Sequence, residues 1–235
     1  MKKSKVIVIT GSSKGIGLGI VNYYHSKGFI VVGCGRSKIQ HNLKNYHYSE
    51  VDITDEIQVR RWIKNIQKKF NQIDVLVSNA GLVKSSLLMS VTPTNILSSF
   101  METHILGTYI VCREISKLMI RQNYGRIITI SSLSVPLLLK GTSAYTATKS
   151  AVEDMTKVLA KELANTGVTC NVINPCLIET DVTKNFNNEW KEMLLNNQTI
   201  NSSFNAQDLC NIIDFFISDR SNCITGQVIS MGLVT

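Results

Sequence analysis

The sequence has few of the residues from which metal and disulfide sites are built. Its 235 residues include six cysteines and four histidines, but no two cysteines form a C-x-x-C pair and the histidines lack metal-ligand spacing. Isolated thiols are typical of a reducing compartment, where they serve as small core residues. We therefore expect a cytoplasmic protein without a metal site.

Long apolar stretches are also missing. The basic start at Met1–Lys5 is followed by the short apolar run Val6–Ile9, which is too short for the hydrophobic region of a secretory signal. No stretch approaches the roughly 20 apolar residues that span a membrane. The sequence therefore predicts neither secretion nor contact with a membrane.

Clustered positive charge is scarce, although the chain is basic. Lys and Arg number 25 against 17 Asp and Glu, a net charge of +8, which favours an anionic partner. However, Lys2–Lys3, Arg60–Arg61 and Lys68–Lys69 are short, separate pairs with no aromatic residues between them. Nucleic-acid surfaces need clustered charge. We expect no nucleic-acid partner, which leaves a phosphorylated cofactor as the anion.

Prolines number only three, and no linker or repeat interrupts the chain. Short β-branched runs alternate with segments of helical periodicity, and parallel strands need such long connections. We predict an α/β fold: a single domain, 1–235, with one doubly wound parallel sheet and helices on both faces. The Asn- and Ser-rich segment 181–205 reads as a mobile insertion. Strands are predicted at 5–10, 29–32, 46–51, 73–77, 125–131, 168–173 and 227–229, and helices at 15–27, about 59–70, 94–122, 152–163 and 209–216.

A glycine-rich motif joins the first strand to the first helix. Glycines in this position let main-chain N–H groups approach a pyrophosphate at the helix N-terminus. The spacing is G-x-x-x-G-x-G rather than the commoner G-x-G-x-x-G. An ordinary glycine turn is the alternative, but the strand–helix context favours nucleotide binding. The predicted cofactor residues here are Gly11, Ser12, Ser13, Lys14, Gly15, Ile16 and Gly17.

The end of the second strand points to the choice of cofactor. An acidic residue there would bind a ribose 2′-hydroxyl, whereas an arginine accommodates a 2′-phosphate. No acid follows the strand until Glu50. Arg36, helped by Lys14, supplies charge and bidentate donors, which predicts NADP(H). A solvated loop arginine is the alternative.

Ser132, Tyr145 and Lys149 form the candidate catalytic set. Tyr145 and Lys149 are four residues apart on a predicted helix and so share a face. An ammonium group beside a phenol lowers the phenol's pKa, which suits Tyr145 to general acid–base work. A neighbouring serine hydroxyl can polarise a carbonyl oxygen, and the set therefore predicts chemistry at a ketone.

Together, these motifs resemble the short-chain dehydrogenase/reductase family over nearly the whole chain, and in particular its 3-oxoacyl-(acyl-carrier-protein) reductases. The resemblance implies a Rossmann-like fold and a homodimer or homotetramer formed through the helices around 102–122 and 145–164. The matching segments are 10–17, 51–53, 78–81, 130–132, 145–149, 171–175 and 224–227.

The resemblance also implies individual roles. Tyr145 would donate the proton, Ser132 would hold the substrate carbonyl, and Lys149 would bind the nicotinamide ribose and tune Tyr145. Segment 181–205 would form a lid over the substrate. Tyr145 and Lys149 would also contact the cofactor. The other implied cofactor contacts are Asp52 and Ile53 at the adenine, Asn79, Ala80 and Gly81 near its ribose, and Pro175, Ile178 and Thr180 at the carboxamide.

Three departures from the family pattern stand out. His104 occupies the position of the family's asparagine, which helps hold a water chain to the lysine. Because histidine titrates near pH 6.5, we predict that His104 joins a proton relay and shapes the kcat profile between pH 5 and 8. A merely packed ring is the alternative. Cys176 replaces a glycine near the nicotinamide, where a packing thiol is expected, and the ending at 230–233 lacks the usual Asp-Gly-Gly.

The sequence thus predicts an NADP(H)-dependent enzyme that interconverts a ketone and a secondary alcohol. A 3-oxoacyl thioester is the favoured substrate, and a small polar or cyclic ketone of specialised biosynthesis is its rival. A nucleotide-sensing or scaffold protein without turnover is the alternative from another class. The intact Ser132, Tyr145 and Lys149 argue against it.

Overall fold

In the computed structural model, the described residues are 4–41, 43–83, 87–184 and 186–234. They form a seven-stranded sheet of order β3-β2-β1-β4-β5-β6-β7 in which each neighbouring pair is parallel. The predicted α/β sheet is therefore confirmed. The strands are β1 (Val6–Thr10), β2 (Ile30–Gly35), β3 (Tyr46–Glu50), β4 (Val75–Ser78), β5 (Gly125–Ile130), β6 (Val168–Asn174) and β7 (Val228–Ser230).

Helices cover both faces of this sheet, which explains why its central strands are continuous apolar runs. Each residue of β1 and β4 is buried. One apolar cluster joins the sheet to α1 and α9, and a second joins it to α2, α4 and α6. The helices are α1 (Gly15–Ser26), α2 (Glu56–Phe70), α3 (Thr94–Phe100), α4 (Thr108–Gln122), α5 (Ser134–Leu137), α6 (Ser143–Glu162), α7 (Asp181–Lys184), α8 (Asn188–Asn197) and α9 (Ala206–Ile217).

The predicted helix at 94–122 is interrupted by a π-helical segment. Residues Met101–Gly107 are π-helical and join α3 to α4. A π-helix is rare and is often found at functional sites. Here it carries His104, whose ring is buried.

Strand order reverses between β1 and β4, so a crevice opens at their carboxyl ends, where ligands bind in doubly wound sheets. Helix α1, which begins at this crevice, is tied to α9 by one carboxylate. Asp214 accepts hydrogen bonds from the hydroxyls of Tyr23 (2.5 Å) and Tyr24 (3.0 Å) and pairs with Lys27. Along the described residues, no helix is both long and apolar enough to cross a membrane.

Candidate active site

The glycine-rich loop and segment 79–81 meet at the carboxyl ends of β1 and β4. The Asn79 side-chain amide donates to the main-chain oxygens of Thr10 (3.0 Å) and Gly11 (3.2 Å). The Thr10 hydroxyl oxygen accepts from the main-chain N–H groups of Asn79 and Ala80. Gly11 has φ of +66°, and a Cβ there would lie 2.7 Å from Cα of Ala80. The structure therefore brings two predicted cofactor segments together, with glycine required at their contact.

The N-terminus of α1 has the features of an anion site. Its N-cap residue, Lys14, makes no side-chain capping hydrogen bond, and no acidic residue lies in the first turn. The first N–H groups of a helix have no partner within the helix and lie at the positive end of its dipole. This donor set fits the pyrophosphate of a dinucleotide.

Arg36 follows β2 at the edge of the same crevice. Its side chain is exposed, and within the described parts of the chain it makes no ion pair. The loop is joined to β2 by the main-chain bond from Ser12 N–H to the Cys34 oxygen (3.0 Å). An exposed guanidinium beside an anion-binding loop fits a cofactor 2′-phosphate.

The predicted adenine contacts, Asp52 and Ile53, follow β3. One carboxylate oxygen of Asp52 accepts from the Thr54 main-chain N–H (2.9 Å) and hydroxyl (2.8 Å). Ile53 is buried and packs against Gly107, where a Cβ would lie 2.6 Å from its Cδ1. Asp52 therefore stabilises the turn that follows β3, and Ile53 packs that turn against the π-helical segment.

The structure brings Ser132, Tyr145 and Lys149 together at the end of β5. The Ser132 Oγ accepts from the Ser134 main-chain N–H (3.1 Å), and its hydroxyl lies close enough to Tyr145 to act on the pKa of the phenol. The Lys149 ammonium donates to the main-chain oxygen of Ile130 (2.9 Å) and lies 6.0 Å from the Tyr145 ring centroid. The predicted catalytic residues thus share one wall, with the lysine anchored to the strand.

The electrostatics of this wall differ from the sequence expectation in one respect. Burial raises the pKa of Tyr145 above its usual value, and the hydrogen bond with Ser132 offsets only part of that effect. The expectation that Lys149 lowers the pKa of Tyr145 is wrong for this structure, because desolvation dominates. Burial also lowers the pKa of Lys149 to about 8. At neutral pH the phenol is protonated and the lysine is mostly charged.

His104 joins three elements of the site. Its Nε2 accepts from the main-chain N–H of Leu82 (2.9 Å), and its Nδ1 lies 2.9 Å from the Thr148 hydroxyl oxygen. Thr148 in turn donates to the main-chain oxygen of Tyr145 (2.8 Å). With the proton on Nδ1, Nε2 accepts from Leu82 N–H and the Thr148 oxygen accepts from Nδ1. Nε2 also lies 3.1 Å from the Leu82 main-chain oxygen, a bond that would need the proton on Nε2. The ring stacks on Phe100 and meets the Tyr145 ring edge-on.

The prediction that His104 titrates between pH 5 and 8 is wrong. Burial, and secondly the charge of Lys149, lower the pKa of His104 to about 3. The ring therefore stays neutral throughout that range and acts through fixed hydrogen bonds. The ring contacts α6 through Thr148, and its participation in a relay stays a prediction.

Sequence reasoning missed several residues that support this wall. Thr148 lies between His104 and Tyr145. The Ser131 hydroxyl lies 3.2 Å from the main-chain oxygen of Lys149 and 3.0 Å from a carboxylate oxygen of the buried Glu153. Ser131 and Thr148 stand beside recognised motif residues, which was the available signal. Their partners are distant in sequence and become visible only in the fold.

The predicted carboxamide contacts lie in a segment after β6. Pro175 and Ile178 are buried and Thr180 is partly exposed. The segment is joined to residues further on by bonds from Phe204 N–H to the Leu177 oxygen (2.9 Å) and from Glu179 N–H to the Phe204 oxygen (2.8 Å).

Cys176 lies in this segment and is buried. Burial raises the pKa of its thiol to about 11, which keeps it protonated and supports the expected packing role. The segment 181–205 contains α7 and α8, which the sequence pattern did not predict, and Asn185 lies outside the described residues.

Other sequence predictions concern metals and surface charge. No group of three or more potential ligands among the described His, Cys, Asp and Glu residues could hold a metal ion. Arg60 pairs with Glu56 and Glu114 on the surface of α2 and α4. Lys2 and Lys3 lie outside the described residues.

Comparison with known proteins decides the family. The family model of the short chain dehydrogenases matches residues 5–191. The chain belongs to this family. It is 30% identical to the 3-oxoacyl-[acyl-carrier-protein] reductase FabG of Staphylococcus aureus over 239 residues, covering 97% of each chain. It is 28% identical to that of Salmonella typhimurium over 233 residues, covering 97% of this chain and 95% of the relative.

A solved structure described as "ElxO with NADP Bound" has a TM-score of 0.90 to this short-chain dehydrogenase. The two are 29% identical, and the match covers 97% of each chain. The predicted fold, family and oxidoreductase class are confirmed.

Proposed function

We propose that this short-chain dehydrogenase is an NADP(H)-dependent reductase that converts a ketone to a secondary alcohol. The cofactor is NADP(H), which similar solved structures are described as binding. The observation that carries the activity is the shared wall of Ser132, Tyr145 and Lys149 beside an uncapped helix N-terminus.

NADPH, when bound, would supply the hydride that the carbonyl carbon needs, and the protein's own residues provide for the proton and the charge. Ser132 holds the carbonyl oxygen through its hydroxyl. Tyr145 then donates its proton to that oxygen, which completes the alcohol. Burial raises the pKa of Tyr145, so the phenol is protonated at neutral pH and carries the proton that the reduction consumes. The ammonium of Lys149 orients the ribose and stabilises the phenolate that remains.

The favoured substrate is a 3-oxoacyl thioester, as in the reductases that the chain resembles. Apolar side chains near the catalytic helix support an acyl chain as part of the substrate. Leu87 donates its main-chain N–H to the Gly141 oxygen (3.1 Å), which joins two apolar segments. We call their exposed members the apolar rim: Leu87, Leu88, Met89, Val91 and Leu138. Segment 181–205 is proposed as the lid over this rim.

Turnover measured with NADPH tests the activity. The panel contains acetoacetyl thioesters, small polar ketones and cyclic ketones. Turnover of any ketone supports the enzyme, and preference for the thioester supports the favoured substrate. Tight NADPH binding without turnover on the panel favours the sensing or scaffold alternative.

Arg36→Ala tests the cofactor preference. Removing a charge-assisted hydrogen bond should weaken NADPH binding by about 1.5–3 kcal/mol, while NADH binding should hardly change. The dissociation constants are measured by fluorescence titration of both cofactors. Equal losses for both, or a wild-type preference for NADH, would contradict the assignment.

A homodimer or homotetramer is proposed through α4 and α6. Apolar side chains exposed on α4, on α6 and on the π-helical segment that precedes α4 support it, because such groups mark protein contacts when they lie together. They are Leu106, Tyr109, Ile120 and Val158. Sedimentation of the purified protein gives the state directly, and a monomer at all concentrations would contradict the proposal. The single domain and the cytoplasmic setting stay predictions.

A further inference from the structure

Two tyrosines of the edge strand β3 extend across one face of β2, beside its glycines, toward the glycine-rich loop. Tyr46 and Tyr48 occupy alternate positions and so point to the same face of the sheet. The Tyr46 hydroxyl donates to the Ser12 hydroxyl oxygen (3.1 Å), and a Cβ at Gly33 would lie 2.8 Å from the Tyr46 oxygen. This inner unit is a tyrosine hydroxyl, a glycine that leaves room for it, and a serine of the loop.

Tyr48 repeats this arrangement two residues further along β3, on the side nearer Arg36. A Cβ at Gly35 would lie 2.7 Å from the Tyr48 hydroxyl oxygen and 3.3 Å from the Ser13 Oγ. The Tyr48 and Ser13 hydroxyls therefore border the same space beside Gly35. The Tyr48 hydroxyl also donates to the main-chain oxygen of Ser37 (2.6 Å). The outer unit therefore bridges the glycine-rich loop and the loop that follows β2.

The position of Arg36 gives this bridge a function. Arg36 lies between Gly35, which makes room for the Tyr48 hydroxyl, and Ser37, which accepts its hydrogen bond. Residues 36–38 are exposed, so packing does little to fix the guanidinium. The Tyr48 bond fixes the main chain one residue after Arg36. A charged donor contributes most when its geometry is set before the ligand arrives.

We propose that Tyr48 is a positioning residue for the cofactor 2′-phosphate, acting through Arg36. The inference rests on the proposed use of NADP(H) and adds a determinant of cofactor choice outside the binding loops. Tyr48 also fills the space in which an acidic side chain at position 35 would begin. Tyr48 of the edge strand thus favours binding of the 2′-phosphate in two ways. It positions Arg36, and it leaves no room for an acidic side chain at position 35.

Tyr48→Phe is the central test, because it keeps the ring and removes the hydroxyl. The dissociation constant for NADPH should rise about three- to tenfold, the effect of one lost hydrogen bond, and that for NADH should stay within about twofold of wild type. Both are measured by fluorescence titration, with circular dichroism to confirm folding. Tyr46→Phe is the matched control. It makes the same change one step inward, away from Arg36, and should leave the ratio of the two constants unaltered.

Gly35→Ala is an independent second variant. Its methyl group displaces the Tyr48 hydroxyl and should lower the preference for NADPH in the same direction. In an Arg36→Ala background, Tyr48→Phe should change the ratio no further, because the residue through which it acts is gone.

Three results would overturn the role of Tyr48. They are equal losses for both cofactors in Tyr48→Phe, an unchanged ratio, and a full effect that persists without Arg36. A wild-type preference for NADH is a different failure. It would overturn the cofactor assignment itself, and the role of Tyr48 with it.

Discussion

The catalytic wall and the apolar rim of this short-chain dehydrogenase are built in opposite ways. In the wall, Lys149 and His104 are buried and hydrogen-bonded to main-chain groups. In the rim, Met89 and Leu138 are 80% and 75% exposed. Tyr145 and Lys149 of the wall lie on the long helix α6, whereas the rim lies on loops and short helical turns. From this difference we expect reaction chemistry at the buried wall and substrate choice at the exposed loops.

The largest expected effect is on the wall. Tyr145→Phe keeps the ring and its contact with His104 but removes the proposed proton donor. General acid catalysis contributes about 10²- to 10⁴-fold, so kcat should fall by at least about 10²-fold while NADPH still binds. Stopped-flow turnover and cofactor titration on the same preparation separate the two quantities. Near-normal turnover would show that the proton comes from another group.

An intermediate effect is expected from the neutral state of His104. Its pKa of about 3 in the folded protein lies below the value near 6.5 of an unfolded histidine. As pH falls from 6.5 toward 3, the unfolded chain takes up a proton that the folded chain does not. The free energy of unfolding contributed by this group is therefore full above pH 6.5 and declines below it, by up to about 1.4 kcal/mol per pH unit.

His104→Asn removes that titration and should flatten the acid side of the stability profile. Urea unfolding at several pH values between 4 and 7 measures it. The exposed His41 provides the control, since His41→Asn alters a ring that water already reaches. The kcat profiles of wild type and His104→Asn should have the same limbs between pH 5 and 8. A limb lost in His104→Asn would restore the proton-relay hypothesis.

Much of the fold could be predicted because each core element has its own local pattern. The β6 prediction at 168–173 differs from the observed Val168–Asn174 by one residue. The π-helical segment at Met101–Gly107 could not be predicted. The pattern of apolar residues does not reveal that the main-chain hydrogen bonds change locally to i→i+5 spacing. Helix α8 was missed although Trp190, Met193 and Leu194 have helical spacing, because the surrounding segment is rich in Asn and Ser and was interpreted as an insertion. Burial of Leu194 against the core decides the packing of this helix.

The candidate site likewise has a part that the sequence predicts and a part that only the fold reveals. Motif residues such as Tyr145 and Lys149 are four residues apart, so their shared face follows from helix geometry. The partners of His104 are Leu82 and Thr148, which are far from it in sequence and meet only through the fold. Protonation states were the least predictable feature, because burial raises the pKa of Tyr145 where the sequence led us to expect a lowered pKa.

The smallest expected effect is on the rim, at Leu138. This residue has φ of +49°, a left-handed conformation that costs a non-glycine residue roughly 1–2 kcal/mol. An exposed leucine in that conformation contributes little to packing, so we expect it to be kept for contact with substrate.

Leu138→Asn tests this expectation, because asparagine adopts the left-handed conformation more readily but removes the apolar surface. Stability should stay equal or rise by about 1 kcal/mol, and KM for a long-chain 3-oxoacyl thioester should rise about fivefold, equivalent to roughly 1 kcal/mol of apolar contact. KM for a small ketone should not change, and Leu138→Met should restore the wild-type value for the long chain. A long-chain KM in Leu138→Asn equal to that of wild type would mean that the acyl chain leaves the site by another route. Substrate choice would then belong to segment 181–205 rather than to the rim.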